Sequence, residues 1–274
     1  MQGGELYFHL KRNSYFKEKA VKFYMSQVLL AIEYLHNNGY IYRDLKPHNI
    51  LIDKEGNIKL TDFGLSKMLL NGNKTTKTLC GTPEYIAPEI FKGKPHTKCV
   101  DWFSFGILLY EMICGNLPFK LINRQIEESI YEKKIEYPEK MSPEARDTIG
   151  KLLEIEPEKR LGYNSSEEIK NSEFFKNMDF NKVYNKEYKP PFKPKLNGDM
   201  DLKYFDINVT EEAIDSDENL IVNSYGGTYL DKKESCKEKE NIDENKILQF
   251  DGFSYCKEDE KNSIVSEDSE TYSF

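Results

Sequence analysis

Four side chains lie close together in the sequence and have the makings of a reaction centre. Asp44, Lys46 and Asn49 sit in Tyr42-Arg43-Asp44-Leu45-Lys46-Pro47-His48-Asn49, and Asp62 sits in Thr61-Asp62-Phe63-Gly64. Between them, Ile50-Leu51-Ile52 and Ile58-Lys59-Leu60 read as two short strands joined by the polar turn Asp53-Lys54-Glu55-Gly56-Asn57. An antiparallel hairpin would return Asn49 and Asp62 to one open end, offering two oxygen donors to a hard cation such as Mg²⁺. Asp44, five residues before Asn49, could reach the same end and accept a proton from a hydroxyl. Lys46 adds a point charge suited to a phosphate. A metal clamp, a base and a cation are the parts that phosphoryl transfer requires.

The flanking elements must hold this hairpin in place. Val21, Met25, Val28, Ile32 and Leu35 form one apolar stripe, predicting a helix from Ser14 to Asn38 with Ser14 as N-cap and Gly39 as stop. The run Lys98–Cys114 is apolar almost all round and predicts a helix buried in a core. Ser142-Pro143 opens a further helix running to about Glu154, and another is expected over Ser166–Phe175. Gly64 to Pro88 is too long for an ordinary connector, and long ordered loops tend to carry function.

Charge divides the chain. Its 274 residues carry a net charge of −8; residues 1–188 hold 28 basic and 26 acidic side chains, whereas residues 189–274 hold 11 and 21. A general nucleic-acid binder would show the opposite bias, so no nucleic-acid partner is expected. No run of eighteen apolar residues occurs, and no transmembrane segment or secretory leader is expected. Five cysteines without a CxxC pair fit reduced thiols, hence a cytoplasmic protein, with the nucleus equally compatible.

Tyr42-Arg43-Asp44-Leu45-Lys46-Pro47-His48-Asn49 followed by Asp62-Phe63-Gly64 resembles the HRDLxxxN and DFG motifs of eukaryotic protein kinases, with Tyr42 in place of the usual His. YRDLKP is the form typical of the AGC group of Ser/Thr kinases. The resemblance implies an α+β fold: a mainly helical large lobe over residues 1–188 with a small catalytic hairpin, then an extended acidic C-terminal extension over 189–274, partly disordered. It implies ATP and Mg²⁺ as cofactors, with Asp44 as catalytic base, Lys46 on the γ-phosphate, and Asn49 and Asp62 on the metal. Lys46, two residues after Asp44, implies Ser/Thr acceptors.

Thr78-Leu79-Cys80-Gly81-Thr82-Pro83-Glu84-Tyr85-Ile86-Ala87-Pro88-Glu89 is similar to an AGC activation segment. By that resemblance Thr78 carries an activating phosphate clamped by Arg43 and Lys67, and an upstream kinase adds it. Thr82 would hydrogen-bond near Asp44 and Lys46, Glu89 would pair with Arg160 in a buried ion pair, and Asp101 would brace the catalytic loop. Glu5 resembles the acid that touches ribose and a substrate Arg three residues before the phosphoacceptor, with Glu111 as a second acidic contact. Protein substrates with an upstream Arg are therefore the expected partners. His48 stands where many relatives have Glu.

In the tail, Tyr204-Phe205-Asp206 resembles a segment whose ring, Phe205, packs by the nucleotide. Phe250-Asp251-Gly252-Phe253-Ser254-Tyr255 resembles the hydrophobic motif of the protein kinase B, protein kinase C and S6-kinase subgroup. There Phe250, Phe253 and Tyr255 would dock, with Ser254 as a second phosphosite. No Gly-rich phosphate loop and no VAIK-type lysine precede Gly3, so the small lobe is expected to lie outside these residues. Any membrane recruitment would then come from that N-terminal region. The alternative is a catalytically inactive kinase fragment that binds substrates or regulators.

Overall fold

A computed structural model describes residues 1–69, 75–119, 130, 135–198 and 201–205, all within the unit Met1–Tyr225. The hydrophobic-motif residues Phe250, Phe253, Ser254 and Tyr255 lie outside the described residues. Among the described residues, helices α1 (Leu6–Asn13) and α2 (Glu18–Asn37) precede strand β1 (Tyr40–Ile41). Strands β2 (Ile50–Ile52), β3 (Ile58–Leu60) and β4 (Lys67–Met68) follow, then α3 (Pro88–Phe91) and α4 (Cys99–Cys114). Helices α5 (Pro143–Leu152), α6 (Glu167–Lys170) and α7 (Phe180–Tyr184) close the body. The fold is mixed, mostly helix with few strands.

The expected hairpin forms. Strands β2 and β3 are antiparallel with Ile50 opposite Leu60 and Ile52 opposite Ile58. Asp53 organises its turn: Oδ1 accepts from the backbone N–H of Glu55 and of Asn57, each at 2.9 Å. A second sheet, β1 with β4, pairs Tyr40 with Met68 and Ile41 with Lys67.

Helix α4 is the axis of the core, with fifteen of its sixteen residues buried. It packs against α2 and α5. The α5 cap is as predicted, since the Ser142 hydroxyl accepts from the Ala145 N–H at 3.1 Å with Pro143 in the first turn, although the helix stops at Leu152.

Two boundaries differ from expectation. Ser14 does not cap α2; it ends α1 in a left-handed conformation at φ 65°, and α2 starts at Glu18. The reason is tertiary: the Phe16 N–H donates to the Met112 carbonyl at 2.7 Å, holding the linker extended against the end of α4. The helix expected over 166–175 is only Glu167–Lys170. Beyond it the backbone turns through i→i+3 bonds, which drives Phe174 and Phe175 into the core.

Two glycines create clearance for the segment after residue 189. At Gly4 (φ +71°) a Cβ would fall 1.9 Å from the Tyr204 carbonyl oxygen; at Gly56 (φ +91°) it would fall 2.1 Å from that of Phe192. Only glycine combines that backbone angle with such close approach.

Candidate active site

The catalytic segment begins where β1 ends, and a buried carboxylate shapes it. Asp101, fully buried on α4, accepts from the Tyr42 N–H at 2.9 Å and the Arg43 N–H at 2.8 Å. Its Oδ2 also meets His36 Nε2 at 2.7 Å. These bonds hold Arg43 at φ 68°, an unfavourable region for a non-glycine residue, and so turn the chain toward Asp44.

Asp44 then anchors a closed polar network. Its Oδ1 accepts from the Thr82 hydroxyl at 2.8 Å. Its Oδ2 accepts from Asn49 Nδ2 at 2.8 Å and lies 3.0 Å from Lys46 Nζ. Lys46 Nζ also donates to Thr82 Oγ1 at 2.9 Å, which closes the ring. Asn49 is carried by a short 3₁₀ turn, Pro47–Asn49, and its Nδ2 donates as well to the Asp44 carbonyl at 2.9 Å. Four sequence-predicted residues thus share one cluster, with Thr82 reaching it from the start of a distant 3₁₀ turn.

The hairpin brings the remaining acid to the same end. Thr61 N–H donates to the Asn49 carbonyl at 3.0 Å, one step beyond the Ile50–Leu60 pair, so Asp62 follows directly. Asp62 is exposed, sits at φ 55°, and accepts from the Gly64 N–H at 3.1 Å. Tyr42 spans both sides: its hydroxyl donates to the Thr61 carbonyl and also meets the Asn49 side chain. Burial, then the charges of Asp44 and Asp62, push its phenol far above the ordinary value, so it stays a neutral donor.

Asn49 commits Nδ2 to Asp44, leaving its amide oxygen as the acceptor, and Asp62 adds a carboxylate. That pair of hard oxygens fits Mg²⁺, which takes one or two protein ligands and completes its shell with water and phosphate.

Arg160 and Glu89 form a bidentate pair at 2.7 and 2.9 Å. Glu5 precedes α1 and forms an isolated bridge with Leu51 of β2. Arg43 Nε donates to the Leu65 carbonyl at 2.7 Å, and Lys67 Nζ donates to Thr76 Oγ1 at 3.0 Å, which itself lies 3.4 Å from Thr78 Oγ1. Phe205 is half-buried in a turn closed by its N–H to the Leu202 carbonyl.

Two features escaped the sequence. His48 stacks on Tyr7 with ring centroids 3.8 Å apart. Thr76 pairs with His96 in an antiparallel bridge. The second acidic contact expected of Glu111 does not form: on the buried helix α4 its carboxylate is shielded from solvent and accepts from the Tyr85 hydroxyl at 2.6 Å instead.

The protein kinase domain family matches residues 1–175. The chain belongs to the protein kinase family. The kinase is 41% identical over 215 residues to human RAC-beta serine/threonine-protein kinase, covering 77% of this chain and 45% of that one. It is 45% identical over 214 residues to ribosomal protein S6 kinase beta of Caenorhabditis elegans, covering 77% and 39%. It is 44% identical over 216 residues to human ribosomal protein S6 kinase alpha-3, covering 78% and 29%. The chain therefore spans less than half the length of these relatives. They bear out the AGC Ser/Thr resemblance, and the family uses ATP and Mg²⁺. Among the described residues of the kinase, no helix is long and apolar enough to cross a membrane.

Glu111 gives the kinase a measurable pH dependence. Burial lifts its carboxyl from 4.5 to about 7, against the lowering effect of the Tyr85 hydrogen bond. A carboxyl whose folded value is raised binds its proton better when folded, so stability should fall as pH rises between about 4.5 and 7. Glu111→Gln keeps an acceptor for Tyr85 and removes the charge. It is expected to flatten that slope and raise stability at pH 8 by ~1–3 kcal/mol in urea unfolding; an unchanged slope would contradict the burial argument.

Proposed function

We propose that residues 1–188 form the large lobe of an AGC-type Ser/Thr protein kinase, that 189–274 form its C-terminal extension, and that this surface transfers the ATP γ-phosphate to protein hydroxyls. The observation that carries this reading is the ring in which Thr82, Lys46 and Asn49 all converge on the Asp44 carboxylate.

Asp44 acts as base. Its two oxygens are aimed by donors on either side, so the carboxylate is presented in one orientation to an incoming hydroxyl and takes its proton. Lys46 is positioned to move from Asp44 onto the transferred phosphoryl group, and Thr82 keeps Asp44 in place meanwhile. Asn49 and Asp62 hold Mg²⁺, which when bound neutralises charge on the nucleotide phosphates. Phe205 packs by the nucleotide and Glu5 contacts its ribose. A phosphate on Thr78, added by an upstream kinase and held by Arg43 and Lys67, orders the segment that carries Thr82. Ser254, flanked by Phe250, Phe253 and Tyr255, is the second regulatory phosphosite. Five cysteines without a CxxC pair support a cytoplasmic location, with the nucleus also open to it.

Glu5 makes Arg, three residues before the phosphoacceptor, the favoured substrate feature. In a peptide array phosphorylated by the complete kinase with Mg²⁺-ATP, Arg at that position is expected to raise phosphate incorporation at least about tenfold, the effect of one charge-assisted contact. A preference for acidic residues or for a following proline would overturn the assignment.

A further inference from the structure

The clamp around Thr78 contains two buried polar atoms without partners. Arg43 Nη1 and His96 Nε2 are both shielded from solvent and neither makes a hydrogen bond. A buried donor or acceptor left unmade is costly, so two of them on neighbouring residues beside the activation segment call for an explanation.

His96 is fixed beside the activation segment by backbone pairing. Thr76 N–H donates to the His96 carbonyl at 2.9 Å, and His96 N–H donates back to the Thr76 carbonyl at 2.8 Å. Residues directly opposite in such a pair project their side chains from the same face. On that face the Thr76 hydroxyl already meets Lys67 Nζ and Thr78 Oγ1. Thr76 and His96 are buried, at 5% and 2% exposure, whereas Thr78 is exposed and open to modification.

The imidazole has one ring nitrogen near the Lys94 carbonyl, at 3.3 Å from Nδ1. A carbonyl only accepts, so Nδ1 carries the hydrogen and Nε2 of the neutral ring is a bare lone pair. Burial lowers the proton affinity of His96, the Lys94 carbonyl raises it, and Arg43 lowers it further; Glu89 on α3 and Asp101 on α4 pull the other way. Lys67 on β4 also reaches this face, through its bond to the Thr76 hydroxyl. A dianionic phosphate on Thr78 would bring about −1.5 to −2 charges to the group, outweighing the repulsion from Arg43 and Lys67.

We propose that His96 is the third cation of the phosphate clamp on Thr78: it takes a proton from water at Nε2 as the phosphate enters and donates it to a phosphate oxygen, while Arg43 Nη1 binds the same group. This rests on the reading of Thr78 as the activating phosphosite. It makes His96 a positioning residue and couples activation-segment ordering to pH.

The test uses the full chain with phosphothreonine installed at position 78, beside the unmodified chain, both carrying ¹⁵N-labelled histidine. Two-bond ¹H–¹⁵N spectra read which ring nitrogen of His96 is protonated. The expected result is the neutral Nδ1–H form in the unmodified chain and a doubly protonated ring in the phosphorylated one, with the midpoint raised by at least about one unit, tenfold in proton affinity. His96→Gln supplies a donor that does not titrate. The gain in unfolding temperature on phosphorylation should be larger near pH 6.5 than near pH 8.5 in the wild type and equal at the two in the variant; that window lies above the second phosphate pKa of about 6. A thermal gain with an unshifted His96 midpoint would overturn this inference and leave the Thr78 reading standing. No gain at any pH together with an unshifted midpoint would remove both. The spectra use the native residue, so they decide even where the variant fails to fold.

Discussion

Asp44→Asn is expected to lower phosphate transfer by the complete kinase ~10²–10⁴-fold, the range attached to a positioned general base. The substitution preserves shape and leaves an amide whose single oxygen can accept either from Thr82 or from Asn49 and Lys46, at the cost of the bonds on the other side. It removes the one group in the ring able to take a proton. Its effect should fall on kcat with little change in KM for either substrate, because Asp44 makes no interaction that ground-state binding requires. Thermal unfolding serves as the control: Asp44 is buried but Lys46 beside it is partly open to water, so the loss in stability should be far smaller than the loss in turnover. Near-normal turnover in single-turnover transfer assays would remove Asp44 from the mechanism.

The second large effect concerns stability. Arg160 is 1% exposed and its guanidinium is fully engaged, bidentate to Glu89 and donating to the carbonyls of Cys99 at 3.0 Å and Glu154 at 3.0 Å. It also lies over the Phe103 ring at 5.1 Å. Arg160→Ala strands Glu89 as a buried charge beside orphaned carbonyls, and breaking one partner of such a pair costs about 3–5 kcal/mol. Arg160→Lys should recover little of this, because a single ammonium cannot make the parallel bonds of a guanidinium fork. Replacing both partners with apolar residues of similar volume should cost less than removing Arg160 alone. A urea midpoint for Arg160→Ala matching the wild type would show that the pair contributes nothing net.

Much of this architecture was legible in the sequence. The hairpin from Ile50 to Leu60 was readable because two short apolar runs flank the polar turn Asp53-Lys54-Glu55-Gly56-Asn57, and its register put Asn49 and Asp62 at one end. Helix α4 was readable from a continuous apolar run, and α5 from Ser142-Pro143. The closing of the ring by Thr82, the Arg160–Glu89 pair and the Asp101 brace rested on resemblance, since no local pattern joins residues so distant in the chain. Strands β1 and β4 are two residues each, too short to show a period. Ser14 misled because its residue type suits an N-cap, whereas the Phe16–Met112 bond decided the backbone there. The partnerless nitrogens of Arg43 and His96 emerge only once the chain is folded.

The glycine clearances at Gly4 and Gly56 carry a mechanical corollary. Gly4 is bonded to Ile52 at the end of β2, and Gly56 lies in the turn that follows it, so the backbone at Phe192 and at Tyr204 rests on both flanks of a single strand terminus. A shift at either contact is therefore delivered to the turn end of the hairpin whose opposite end carries Asn49 and Asp62. With no side chain at Gly4 or Gly56 to cushion the approach, backbone presses directly on backbone there.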